Sequence, residues 1–148
     1  MATGEATTIA GAAELALSDF QRCLHLSAQL HPRESALVED QLARFSLWMS
    51  EIGVFARERA SVDHRLREAP DVRDAVIGLL ETLADSVQNC SLTLQSILDS
   101  RKETAESLSI AEARVSSSVR AIAGEIHLLY RLSNTIRRAG RESQNIRC

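Results

Sequence analysis

Residues 115–136 read VSSSVRAIAGEIHLLYRLSNTI. The large aliphatic side chains fall at Val115, Val119, Ile122, Ile126, Leu129, Leu132 and Ile136. Steps of mostly four and three place them on one face of a helix, whereas a half-buried strand would alternate every second residue. A stripe this wide needs neighbours to cover it, so the stretch predicts one member of a helical assembly. The segment runs on into Arg137, Arg138 and Gly140. Cations in a last helical turn offset the negative end of the helix dipole by roughly 0.3–1 kcal/mol, and glycine is a common residue just past a helix end. The helix is therefore expected to stop at Gly140.

Three more amphipathic segments precede it. Leu17, Phe20, Leu24 and Ser27 mark a first helix over about 12–30, ended by His31 and Pro32, because a residue before proline is pushed out of the helical region. Val38, Leu42, Phe45, Met49 and Ile52 mark a second, flanked by Leu37, Gln41, Trp48 and Phe55, with Gly53 weakening its end. Val72, Val76, Leu79, Leu83, Val87, Cys90, Leu94 and Ile97 mark a third of about 27 residues, roughly 40 Å, with one irregular step at Leu83. Pro70 suits its first position, and Asp71 and Asp74 suit the positive end of its dipole. Residues 56–70 form a charged connection with one short helical turn around 63–67, and residues 99–107 form a polar loop. The fold class expected is all-α, an antiparallel four-helix bundle with long second, third and fourth helices. Its parts are a frayed segment 1–13, a helical domain 14–140 and a basic tail 141–148.

Composition agrees with one soluble domain. The chain has 148 residues, 45% apolar and 25% charged, with a net charge of −3 and only three Phe, one Tyr and one Trp, so the core is aliphatic. The longest uncharged run, 86–98, is too short and too polar to cross a bilayer. The first twenty residues lack the charged start and apolar stretch of a secretory signal, which points to the cytoplasm or nucleus, cytoplasm being the expectation. Charge is uneven: residues 1–110 hold 10 basic and 17 acidic groups, residues 111–148 hold 7 and 3. Arginine supplies all the basic side chains except Lys102, a uniform bias from which no function is drawn.

No catalytic, metal or cofactor signature stands out. Cys23, Cys90 and Cys148 are odd in number and widely spaced, which argues against a disulfide framework or a zinc site. His25, His31, His64 and His127 have no second histidine at ligand spacing. Asp63 and His64 could form an acid–base pair, yet no nucleophile or oxyanion donor accompanies them, so they read as solvated loop residues. The six glycines never approach a phosphate-loop pattern. Ser116, Ser117 and Ser118 read as small residues that let helices approach. Trp48 and Tyr130 read as core and rim packing and not as a stacking platform, since no sheet surface carries them. Among the arginines, helix termination accounts for Arg137 and Arg138. Arg131, Arg141 and Arg147 exceed that need, and all five together mark an end that would meet phosphate, lipid headgroups or an acidic partner.

Residues 44–83, RFSLWMSEIGVFARERASVDHRLREAPDVRDAVIGLLETL, together with LLYRLSN at 128–134 and Ile136-Arg137-Arg138, carry a resemblance. The chain from about residue 17 to 140 resembles the N-terminal helical region of fungal multidomain proteins, including STAND-type (NACHT or NB-ARC) receptor-like proteins, ankyrin proteins and zinc-finger proteins. The resemblance implies a non-enzymatic module placed ahead of other domains. Some fungal receptor-like proteins carry HeLo or HeLo-like helical domains that perturb membranes in cell death. Residues 1–9 are not the apolar segment that a membrane-inserting version would use, so protein interaction is the stronger expectation and membrane action the alternative. In the resembling proteins the chain continues past the arginines into further domains, while this sequence stops at Cys148, as an excised module or a short paralogue would. The expected partners are a protein or a second copy of the chain, with an anionic membrane as the alternative. No cofactor, nucleic acid or small-molecule substrate is expected.

Overall fold

A computed structural model describes residues 8–100 and 105–145. Among the described residues all regular structure is helical: α1 Ile9–Leu30, α2 Pro32–Ile52, a 3₁₀ turn Glu58–Ala60, α3 Val62–Arg65, α4 Pro70–Asp99 and α5 Ala105–Asn145. α1 packs on α2 and α4, and α5 packs on the same two helices.

Local chemistry explains most boundaries. His31 closes α1, donating its backbone N–H to Ser27, and opens α2 by accepting the Arg33 N–H at Nδ1, 3.0 Å away. Pro32 and Pro70 occupy first-turn positions, where the missing N–H costs nothing. Gly53 ends α2 in the left-handed region at φ 78°, and Val54 then folds back to donate to Met49 and is buried. A Cβ at Gly53 would lie 3.2 Å from the Ala60 carbonyl oxygen, so only glycine fits this turn.

The core seams differ from the sequence pattern at one position or more in each of the four long helices. In α4 the seam runs through Val76, Leu80, Leu83, Val87, Cys90, Leu94 and Ile97, an unbroken 4, 3 repeat, with Ile77 and Ser91 buried beside it. The irregular step expected at Leu83 came from taking Leu79, which is only half-buried, in place of Leu80. In α1 the seam is Ile9, Ala13, Ala16, Phe20, Cys23 and Ser27, with Leu17 and Leu24 displaced to its flank. Small alanines let α1 lie close to its neighbours, so size alone misplaces its inner face. In α2, Gln41 and Trp48 are inside and Leu42 is on the flank. α5 buries Val115, Val119, Ile122, Ile126, Leu129, Ser133 and Ile136, with Ser133 in the place expected for Leu132.

Two expected helix ends are corrected. α1 begins at Ile9, inside the segment read as frayed, while residues 1–7 lie outside the described residues. The cause is remote: the Asp63 carboxylate accepts the Ile9 and Ala10 N–H groups at 2.8 and 3.0 Å, and the Thr8 hydroxyl accepts Gly11 N–H at 2.9 Å. Three orphan donors are thereby satisfied. α5 does not stop at Gly140 but continues to Asn145. Gly140 is buried at the next position of the α5 seam, against Arg65 of α3. The charged connection contains the expected short turn as α3, and Val62 and Leu66 are both sealed from solvent. The loop expected over 99–107 is shorter, since α4 reaches Asp99 and α5 starts at Ala105; residues 101–104, Lys102 among them, lie outside the described residues.

Aromatic packing ties α1, α2 and α5 together. The Phe20 and Phe45 rings stack with centroids 5.6 Å apart, and Phe45 and Trp48 at 6.2 Å. The buried Trp48 Nε1–H donates to the Leu129 carbonyl at 3.0 Å. Replacing Trp48 with Phe leaves that site without its donor and underfilled. Trp48→Phe is expected to lower unfolding free energy by about 1–3 kcal/mol in urea titration, with the slope unchanged.

Candidate functional site

Gly53 and α3 gather the most distinctive surface of the molecule. Arg65 of α3 donates from its guanidinium to the Ile52 carbonyl, completing the end of α2. The stem of Arg65 runs over α5, where a Cβ on Gly140 would sit 3.4 Å from Arg65 Cβ. Burial, and then the like charge of Arg137, hold the Arg65 guanidinium below the usual arginine range. The Nε–H groups of Arg65 and Arg67 are buried with no acceptor. On α5, Arg131, Arg137, Arg138 and Arg141 are all exposed, and none forms an ion pair with another of the residues whose side chains are described. The structure thus joins a partly buried arginine, unforeseen from the sequence, to the expected basic end; Arg147 lies outside the described residues.

Beside this end, Leu17, Ser46, Met49, Ser50, Gly53, Phe55 and Ala56 line an open groove of about 460 Å³ between α1 and the end of α2. Its lining holds no ionisable side chain. Phe55 is 48% exposed, large for an aromatic with no partner ring. The turn forced by Gly53 hides Val54 and presents Phe55.

The remaining candidates resolve into structural roles. Asp63 is not a solvated loop acid: it caps α1, with Arg73 Nε 3.9 Å from its carboxylate. Such a cap contributes about 1 kcal/mol. His64 N–H is taken by the Ser61 hydroxyl at the start of α3. His25, His31 and His127 are exposed. Among the described residues no three His, Cys, Asp or Glu side chains gather to hold a metal ion. Trp48 is sealed in the core and cannot stack on a ligand, while the Tyr130 hydroxyl donates to the Arg44 carbonyl at 3.0 Å. Ser117 is exposed and Ser116 and Ser118 are half-buried, beside and not within the seam.

Cys23 and Cys90, widely spaced in sequence, meet across the α1–α4 contact as buried free thiols. The hydrogen bond to Cys23, with burial added, pushes the Cys90 thiol far up, while the same hydrogen bond draws the Cys23 thiol down against its burial. Farther along, Glu125 of α5 accepts from the Ser86 hydroxyl of α4 at 2.6 Å, while its other carboxylate oxygen is buried without a partner. Burial raises Glu125, and so does the neighbouring charge of Asp85. Asp19 of α1 is raised by burial and also by Asp85.

Among the described residues no helix is long and apolar enough to cross a membrane. No family model, curated protein or solved structure matches this chain.

Two measurements check these assignments. Because α5 passes through Gly140 with no left-handed backbone, alanine fits there. Gly140→Ala is expected to raise stability by up to about 1 kcal/mol in denaturant unfolding, whereas a helix-ending glycine would lose stability on the same change. For Glu125, a raised carboxyl keeps its proton in the folded chain where the unfolded chain has released it. Its contribution therefore favours folding below the folded pKa and is lost as pH rises through that value. Glu125→Gln is expected to be more stable than the native chain at neutral pH, with the gap closing as pH falls toward the ordinary value of 4.5. Denaturant unfolding over a pH series reads the difference.

Proposed function

We propose that this chain is a non-enzymatic, cytoplasmic helical interaction and signalling module, built as an antiparallel four-helix bundle. Its α1–α2 groove receives apolar side chains of a protein partner. The observation that carries this reading is the half-exposed Phe55, held outward by the Gly53 turn at the mouth of a groove without ionisable lining. Burying such an aromatic contributes on the order of 1.5–3 kcal/mol, enough to anchor an interface. The single-residue junction at His31 supports an antiparallel α1–α2 pair, since the chain reverses within one residue and the two helices pack together. The resemblance of residues 44–83 to N-terminal regions of fungal receptor-like proteins supports a module that relays the state of attached domains.

The second reading is a membrane-acting, HeLo-like domain that meets anionic lipid through α5. What favours it is the set of exposed arginines toward one helix end, Arg131, Arg137, Arg138 and Arg141.

Phe55→Glu separates function from folding, because the side chain already faces solvent. Light scattering for self-association and affinity capture for other partners are run on the native chain and the variant. The expected result is an association that Phe55→Glu loses at unchanged helix content and thermal midpoint. A native chain that stays monomeric and captures nothing the variant loses overturns the interaction reading.

A further inference from the structure

We infer that the junction of α3 and α5 is a binding site for an oxyanion of the phosphate class, held between Arg65 and Arg137 with Arg141 one turn farther along α5. Position is the first argument. Arg65 lies over Gly140, and Arg137 is three residues earlier on the same helix, so two cations from segments 72 residues apart in sequence are brought within about one helical turn.

Charge balance is the second. Neither arginine forms an ion pair among the described residues. Two adjacent cations, one of them partly withdrawn from water, repel each other, and Arg137 and Arg141 repeat the like charge at i, i+4. A doubly charged tetrahedral anion removes this repulsion and offers oxygens at the spacing of guanidinium N–H groups.

Geometry is the third. One Arg65 nitrogen is committed to the Ile52 carbonyl, which fixes the plane of the guanidinium before any ligand arrives. Its Nε–H is left without an acceptor, as is that of Arg67 nearby in the same segment. A donor group already oriented by the fold loses little side-chain entropy when an anion binds. Gly140 contributes by its small size: even a Cβ there would touch the Arg65 stem, at 3.4 Å. The inference is independent of the interaction reading, because it rests on α3 and α5 and not on the Phe55 groove.

The test is thermal unfolding of the whole chain in sodium phosphate against sodium chloride at matched ionic strength. A second arm is flotation with vesicles of phosphatidic acid in phosphatidylcholine, with and without competing inorganic phosphate. Phosphate is expected to raise the midpoint above chloride. Arg137→Gln, an exposed position that leaves the fold intact, is expected to weaken the apparent affinity by about tenfold or more, the loss of one charge-assisted hydrogen bond. Arg120→Gln on exposed α5 and Phe55→Glu are expected to keep the full response. Vesicle binding that free phosphate competes away assigns the anion to a lipid headgroup, and a phosphate response without vesicle binding assigns it to a free phosphate. Equal midpoints in phosphate and chloride together with no vesicle binding overturn the site, as does a response that Arg137→Gln leaves unchanged.

Discussion

A tryptophan indole N–H buried in an aliphatic interior must find an acceptor, and the acceptor for Trp48 is a carbonyl on another helix. An unmade hydrogen bond there would cost about 1–3 kcal/mol, so sliding α5 along α2 is penalised in either direction. The Phe20, Phe45 and Trp48 rings extend the same constraint to α1. Apolar seams supply most of the driving force for burial, but a seam of similar aliphatic side chains tolerates sliding by a full repeat. One directional bond among them selects the register in which Gly140 reaches α3.

From that register follows the end of the molecule where the connection between α2 and α4 lies. Val54, Val62 and Leu66 plug it, Gly53 turns the chain, Asp63 starts α1 and Arg65 finishes α2. Asp63 and Arg65 each serve a backbone end that belongs to a different helix. The segment is thus a structural clasp, and its cost is that Arg65 and Arg137 are drawn together. The opposite sign accumulates midway along the helices, where burial, and then the charge of Asp85, raise Asp19 and Glu125. A polarised electrostatic surface results.

Legibility varied by residue for identifiable reasons. Helix existence and the breaks at His31–Pro32 and Pro70 were readable because proline acts on its immediate neighbours. Seam positions were readable to within one residue: Leu79 stood in for Leu80, Leu132 for Ser133 and Leu17 for Ala16, each time because the larger side chain attracted the assignment. Alanine and serine at an inner position carry no signal in hydropathy, although close helix approach depends on them. The basic end was readable in Arg131, Arg137, Arg138 and Arg141, but Arg65 was hidden in a charged connection that reads like a solvated loop.

The sequence by itself determined that this chain is helical, where its long segments lie and that its two ends differ in charge, since periodicity, proline and charge act over a few residues. Tertiary structure alone decided the start of α1 through Asp63, the passage of α5 through Gly140, the meeting of Cys23 with Cys90 and the pairing of Arg65 with Arg137. Those outcomes join residues 54 to 75 positions apart. Contacts at such separation exist only after the seams have closed, and no local pattern encodes them.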